Sequence, residues 1–143
     1  MDQKETGDLV FEAIAHAVAG NASEAATALM TIGQEADNSR MYGVCCAIAS
    51  AGTHALGLVY GDRAPVPGTS DMYVLQELKP GAASADPPKA FAVRFLTAYA
   101  NGDTDTCMAL FNAALRSSDE EFVDSVCALL ADVAGIYRLA LKR

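Results

Sequence analysis

The chain has 143 residues, of which 52% are hydrophobic and only 20% charged, and its net charge at pH 7 is −8. A chain of this length and composition can bury an apolar core without metals or disulfides, which excludes intrinsic disorder. The acidic net charge and the scattered lysines and arginines argue against nucleic acid or an anionic membrane surface as a partner. Both of those partners require clustered basic residues.

Four cysteines are present, Cys45, Cys46, Cys107 and Cys127. They form no Cys-x-x-Cys pair and no Cys/His spacing typical of zinc, so we expect no metal site and no cofactor. The first residues are polar and lack the apolar segment of a secretory signal. These features predict a cytoplasmic protein whose reduced thiols serve as small core side chains.

Apolar residues recur at helical spacing in the first part of the chain and predict three helices. The first is expected over about residues 6–19. The second follows Asn21, which together with Glu24 resembles a capping box. After a break at residues 33–38, a third helix is expected over about residues 39–59.

All five prolines of the chain fall within residues 61–88, together with several glycines. Proline has no N–H to donate and disfavours helix in the residue before it. We therefore expect a crossover linker here. Only residues 72–78 have a composition that suits a short strand or one or two helical turns.

Start signals for three more helices follow the linker. Asp86 stands before Pro87 and a second proline, a cap followed by prolines at the first helical positions. Asp103 is expected to cap a fifth helix, and Ser118 with Glu121 forms a capping box for a sixth that runs nearly to the end.

The two sets of three helices resemble each other in the order of their large apolar residues and in the position of their breaks. An offset of 81 pairs Ala28 with Ala109, and an offset of 82 then pairs Ala49 with Ala131. Because alanine-rich helices can align by chance, the matching breaks are the stronger sign of an internal duplication.

The predicted fold is therefore an all-α six-helix bundle in a single domain over residues 1–143. It consists of two similar halves, about 6–60 and 89–143, each a helical hairpin followed by a long helix. The Pro/Gly-rich crossover at 61–88, with room for one short strand, joins them.

The third helix is unusual because no residue between Arg40 and Asp62 carries a fixed charge, over a length sufficient to cross a bilayer. Its counterpart in the second half carries Asp124, Asp132 and Arg138, and each would cost about 2.5–3.5 kcal/mol at a bilayer centre. We therefore expect no membrane span but a helix covered on all sides, by the other helices or by a second chain. This favours a homodimer.

Six residues are candidates for lining a pocket or an interface: Tyr42, Cys46, His54, Tyr60, Tyr73 and Tyr99. Such a pocket would lie between the two halves, with tyrosine and histidine supplying its polar contacts. Cys46 and His54 lie two turns apart, roughly 12 Å along one helix, which is too far for a thiol–imidazole pair. We expect His54 to be structural and bonded to backbone or a hydroxyl.

The sequence contains no nucleophile motif, phosphate-binding glycine loop or dinucleotide fingerprint. It predicts a non-enzymatic helical protein-interaction module that associates with itself, with another protein as the second kind of partner. The alternative is a small-molecule-binding helical domain, or a minor enzyme, with a pocket between the halves. A DNA-binding regulator would need a basic recognition helix, and the sequence has none.

Overall fold

The computed structural model describes residues 2–61 and 86–142, and these residues form helices and turns with no strand among them. The helices are α1 (Gln3–Val18), α2 (Ala22–Glu35), α3 (Asn38–Tyr60), α4 (Pro87–Ala100), α5 (Thr104–Arg116) and α6 (Asp119–Leu141). The predicted all-α class with six helices is confirmed. The expected short strand at residues 72–78, like most of the crossover, lies outside the described residues.

The two long helices, α3 and α6, lie side by side at the centre of the bundle and run parallel. Near their N-terminal ends Met41 of α3 and Phe122 of α6 line the same groove. Near their C-terminal ends the rings of His54 and Tyr137 lie 6.5 Å apart. Every other helix is arranged around this parallel pair.

Helices α1 and α4 pack on the central pair, whereas α2 and α5 lie further out against α1 and α4. Near the start of α1 the Thr6 hydroxyl accepts a hydrogen bond from the Arg40 guanidinium at 2.9 Å. Near its end the Ala17 carbonyl accepts one from the Arg138 guanidinium at 2.8 Å. Grooves shared by α4 and α6 show the same direction for α4, so α1, α3, α4 and α6 all run one way.

Small residues allow the helices to approach closely around a few large side chains. Phe95 is the largest fully buried side chain, and Ile48 and Leu129 are fully buried on the two central helices. Gly52 of α3 lies where a Cβ atom would come within 2.8 Å of the Val133 side chain. This glycine therefore fixes how closely α3 and α6 pack.

Side-chain caps begin five of the six helices. Asp2, Asp37, Asp86, Asp103 and Ser118 each accept a hydrogen bond from the backbone N–H three residues later. The caps predicted at Asp86, Asp103 and Ser118 are confirmed.

The capping box predicted at Asn21 is wrong, because its side chain makes no capping hydrogen bond. At the matching turn the Asp103 carboxylate accepts from both the N–H and the hydroxyl of Thr106. A carboxylate is the stronger acceptor, and Glu24 offers Asn21 no hydroxyl.

The break predicted at residues 33–38 is shorter in the structure, because α2 continues through Gly33 to Glu35. Gly33 is exposed and a Cβ atom there would meet nothing within 4 Å. A glycine inside a helix costs only about 1 kcal/mol relative to alanine. The helix therefore continues past Gly33, and the break falls at Ala36 and Asp37.

The burial pattern pairs the two sets of helices at offsets different from those expected. In α2 and α5 the buried pair Leu29 and Phe111 is 82 positions apart, as are the turn glycines Gly20 and Gly102, both at positive φ. In α3 and α6 the matching offset is 81, as in the buried pair Ile48 and Leu129. The expected pairing is not confirmed, because it sets buried Ala28 and Ala49 against exposed Ala109 and Ala131, although it also pairs buried Ile48 with buried Leu130. Alanine occurs on every face and so does not define the register.

Candidate functional site

Three of the six candidate residues come together in the bundle. Tyr42 and Cys46 lie one turn apart on α3, and Tyr99 of α4 lies close enough to affect the titration of Tyr42. His54 and Tyr60 lie further along α3, towards its C-terminal end. Tyr73 lies outside the described residues, so the six candidates do not form one site in the described structure.

The rings around Tyr42 form a closely packed group that we call the aromatic cluster: Tyr42, Phe91, Phe95, Phe111 and Phe122. The ring centroids of Tyr42 and Phe111 are 5.3 Å apart and their planes meet at 74°. Phe111 and Phe122 are 5.7 Å apart at 80°. Both are edge-to-face arrangements, which are the favourable geometry for aromatic pairs. The cluster ties α5 to both central helices.

Burial suppresses the reactivity of the polar groups beside this cluster. Burial, and after it the hydrogen bond to the Cys46 thiol, raise the pKa of Tyr42 to about 12. Burial, followed by Cys46 and Asp103, raises the pKa of Cys107 to about 11, and its thiol donates to the Phe95 carbonyl with a sulfur–oxygen distance of 3.8 Å. Such thiols stay protonated at neutral pH and are poor nucleophiles.

The expectation that His54 is a bonded, structural residue is wrong. Its side chain is exposed, and the contact described for it is the tilted ring pair with Tyr137. The helix turns it outward because the inward positions beside it, Gly52 and Ala55, face α4 and α6. Tyr60 is also exposed and lines a shallow groove with Leu139 of α6.

The outward side of α3 is the first of two unusual surfaces. It carries five exposed residues without fixed charge, which we call the outer face of α3: Gly43, Ala47, Ser50, His54 and Leu58. Among the described helices, α3 alone is long and apolar enough to cross a membrane, and only 33% of its most apolar window is buried. Of the two expected covers, the other helices are excluded within residues 2–61 and 86–142, because α1 and α4 leave this side of α3 open, whereas a second chain stays a prediction.

The second surface is an apolar groove of about 440 Å³ between α2 and α6, which we call the α2–α6 groove. Its floor contains the buried residues Leu29 and Met41, and Phe122 lines one side. Met30 of α2 and Val123 of α6 stand at its edges and are 60% and 51% exposed.

Sequence reasoning missed this groove, although a signal was present. Val123 interrupts a run of acidic residues at the start of α6, and Met30 stands between threonines on the polar side of α2. Single exposed apolar residues are common, but two that line one groove contribute to a contiguous apolar patch, and such patches are typical of binding surfaces.

The described residues contain no group of three or more His, Cys, Asp or Glu side chains that could hold a metal ion. Residues 2–61 and 86–142 thus define an all-helical protein with a parallel central pair, an aromatic cluster, an α3 face without fixed charge and an apolar groove between α2 and α6. No protein-family model, no curated protein and no solved structure matches this chain. Its function has to be argued from these surfaces.

Proposed function

We propose that this protein is a non-enzymatic, cytoplasmic helical interaction module that forms a homodimer through the outer face of α3. The observation that carries the proposal is the exposure of five uncharged residues along this face, in a chain whose net charge is −8. Uncharged patches this long on an acidic protein are typical of association surfaces.

The spacing of the outer face suits helix-to-helix packing. Gly43, Ala47, Ser50 and His54 recur at intervals of four, three and four, which keeps them on one side of the helix. Three of these four side chains are small, so that a second backbone can approach closely. A twofold axis through this face would set the same patch against itself, as in most soluble homodimers.

A protein partner fits this face better than a lipid bilayer does. The helix packed along α3 is α6, which carries Asp124, Asp132 and Arg138. Each of these charges would cost about 2.5–3.5 kcal/mol near a bilayer centre. This cost supports a second protein chain as the occupant of the face.

We also propose that the two halves are an internal duplication. Helices of similar length follow one another in the same order, and burial matches at offsets of 82 for the hairpins and 81 for the long helices. At the latter offset Gly52 corresponds to Val133, the residue that it contacts. If two copies of a three-helix unit that formed a homodimer were joined in one chain, the long helices of the two copies would meet at equivalent positions, as α3 and α6 do.

The mass of the protein in solution, measured by light scattering during size exclusion, tests the dimer. We expect a mass twice the 14.9 kDa of the chain. Ala47→Glu places a charge in the middle of the outer face and should yield a monomer with unchanged helicity by circular dichroism. Ala109→Glu makes the same change at an exposed position of α5 and should leave the dimer intact.

A wild-type protein that stays monomeric at high concentration would refute the proposal. So would an Ala47→Glu variant that dimerises as well as the Ala109→Glu control. Either result would assign the outer face of α3 no role in self-association.

A further inference from the structure

We propose that the α2–α6 groove is a binding site for a small, uncharged aromatic molecule. This inference concerns a different surface from the outer face of α3 and does not depend on the dimer. It rests on the shape of the groove, on its charge, and on what fills the corresponding place on the other side of the bundle.

The groove has the size and lining of a small-molecule site. Its volume of about 440 Å³ lies within the range of roughly 300–1,000 Å³ that is usual for such sites. The floor is formed by Leu29, Met41 and Val126, all buried, and the sides by Met30 and Val123. Most of the residues that line the groove are apolar.

Corresponding positions on the other side of the bundle are occupied by the aromatic cluster. At the offsets defined by burial, Leu29 corresponds to Phe111 and Val123 to Tyr42. Those two rings lie 5.3 Å apart and close that side of the bundle. In the α2–α6 groove both positions carry aliphatic side chains, so the space of the missing rings stays open.

Two further positions that line the groove also carry smaller side chains than their counterparts in the other half. Ala26 corresponds to Met108, and Gly33 corresponds to Leu115. Both smaller residues line the α2–α6 groove. These four smaller side chains leave open a space that, at the corresponding place in the bundle, is partly filled by the rings of Phe111 and Tyr42.

The remaining side chains suit a ring. Phe122 is part of the aromatic cluster and also lines the groove, so it can offer a bound ring an edge-to-face contact. Met30 at the edge and Met41 in the floor also line the groove, and sulfur–aromatic contacts are favourable.

The charge of the groove favours a neutral ligand. Among the described residues that line the groove, Asp119 alone carries a fixed charge, and the protein as a whole is acidic. These negative charges disfavour an anion. A cation would meet a single rim carboxylate and an apolar floor on which its own charge would be poorly solvated.

Indole is a suitable probe because the chain contains no tryptophan. Changes in indole fluorescence on titration with the wild-type protein report binding without a tryptophan background. We expect saturable binding with one site per chain, and an unfolding temperature that rises with indole concentration.

Two substitutions place in the groove the aromatic residue types found at the corresponding positions of the aromatic cluster. Val123→Tyr changes an exposed position and is not expected to disturb folding, whereas Leu29→Phe changes the floor. Each should weaken indole binding by about tenfold or more. Leu141→Phe adds the same ring at an exposed position at the end of α6 and should leave the affinity unchanged.

Two results would overturn the proposal. One is the absence of saturable binding by the wild-type protein up to about 1 mM indole. The other is binding that neither Val123→Tyr nor Leu29→Phe weakens. If indole does not bind but Val123→Tyr halves the mass in solution, the groove is an interface between two copies, and the ligand proposal is again wrong.

Discussion

Gly52 of α3 and Val133 of α6 pack so closely that a Cβ atom on Gly52 would lie 2.8 Å from the Val133 Cγ2 atom. The same Cβ atom would lie 2.8 Å from the Leu96 Cδ1 atom of α4. Leu96 can change its rotamer, whereas the β-branched Val133 is held in one rotamer by its own helix. This contact joins three helices at the centre of the bundle.

Gly52→Ala should destabilise the protein by about 1–3 kcal/mol, the usual cost of overpacking a core. The better helix propensity of alanine, worth up to about 1 kcal/mol, offsets only part of this cost. Urea unfolding measures the change. Gly7→Ala is the control, because a Cβ atom on Gly7 meets nothing within 4 Å, and it should stabilise the protein slightly. If neither substitution changes the free energy of unfolding, α3 and α6 can move apart to accommodate the added methyl group, and the expectation is wrong.

The stability of the protein should fall at alkaline pH because of its buried thiols. Burial, and after it the proximity of Cys46, raise the pKa of Cys45 from 9.0 to about 12. The folded state therefore keeps its proton over a range in which the unfolded chain loses it. This contribution is fully present below pH 9 and is lost as the pH rises towards 12.

For this single thiol, linkage predicts a loss of roughly 1 kcal/mol at pH 10. The free energy of unfolding, measured in urea from pH 7 to pH 10.5, tests this expectation. Cys45→Val keeps an apolar side chain at the site and should show a smaller decline than the wild-type protein. Equal declines in both proteins would show that Cys45 ionises in the folded state.

Asp132 on α6 is half-buried, and this burial raises its pKa, although Lys89 partly opposes the shift. A raised pKa means that the stability is greatest below the ordinary value of 3.8 and falls as the carboxyl group ionises. Asp132→Asn should therefore be more stable than the wild-type protein at pH 7, with the difference shrinking near pH 3. Asp124→Asn, at an exposed position of the same helix, is the control. A destabilising effect of Asp132→Asn at pH 7 would mean that the carboxylate makes a favourable contact.

The aromatic cluster should be more sensitive to truncation than the α2–α6 groove. Phe111→Ala removes the ring that contacts both Tyr42 and Phe122, and we expect a loss of about 3–5 kcal/mol in urea unfolding. Leu29→Ala, at the corresponding position of α2, should cost less because a leucine side chain buries less apolar surface than a phenylalanine ring and makes no edge-to-face contact. A reversed order of these two values would argue against the correspondence of the two sites.

Local sequence signals predicted most of the helix ends. Asp86 with two prolines, Asp103 and Ser118 specify helix starts through bonds within four residues, and each was placed correctly. The cap predicted at Asn21 is wrong because a side chain suited to capping does not always make the capping hydrogen bond. The break predicted at Gly33 is wrong because the surrounding residues favour helix strongly enough for α2 to continue through this glycine.

Features that depend on packing could be predicted only in part. Tyr42 and Cys46 share a face because they are four residues apart, so their contact follows from helical geometry. Tyr99 lies close to these two residues only because α4 packs against α3 at the level of Tyr42. The α2–α6 groove depends on how far α2 stands from α6, and no local pattern around Met30 or Val123 encodes that distance.

The common direction of four helices has an electrical consequence. Each helix carries roughly half a positive charge at its N-terminal end and half a negative charge at its C-terminal end. Since α1, α3, α4 and α6 point the same way and only α2 and α5 oppose them, the bundle has a net dipole along its long axis. Two copies joined along α3 would repel each other if aligned and attract each other if reversed. We therefore expect the two α3 helices of a dimer to lie antiparallel, with the N-terminal end of each bundle beside the C-terminal end of the other.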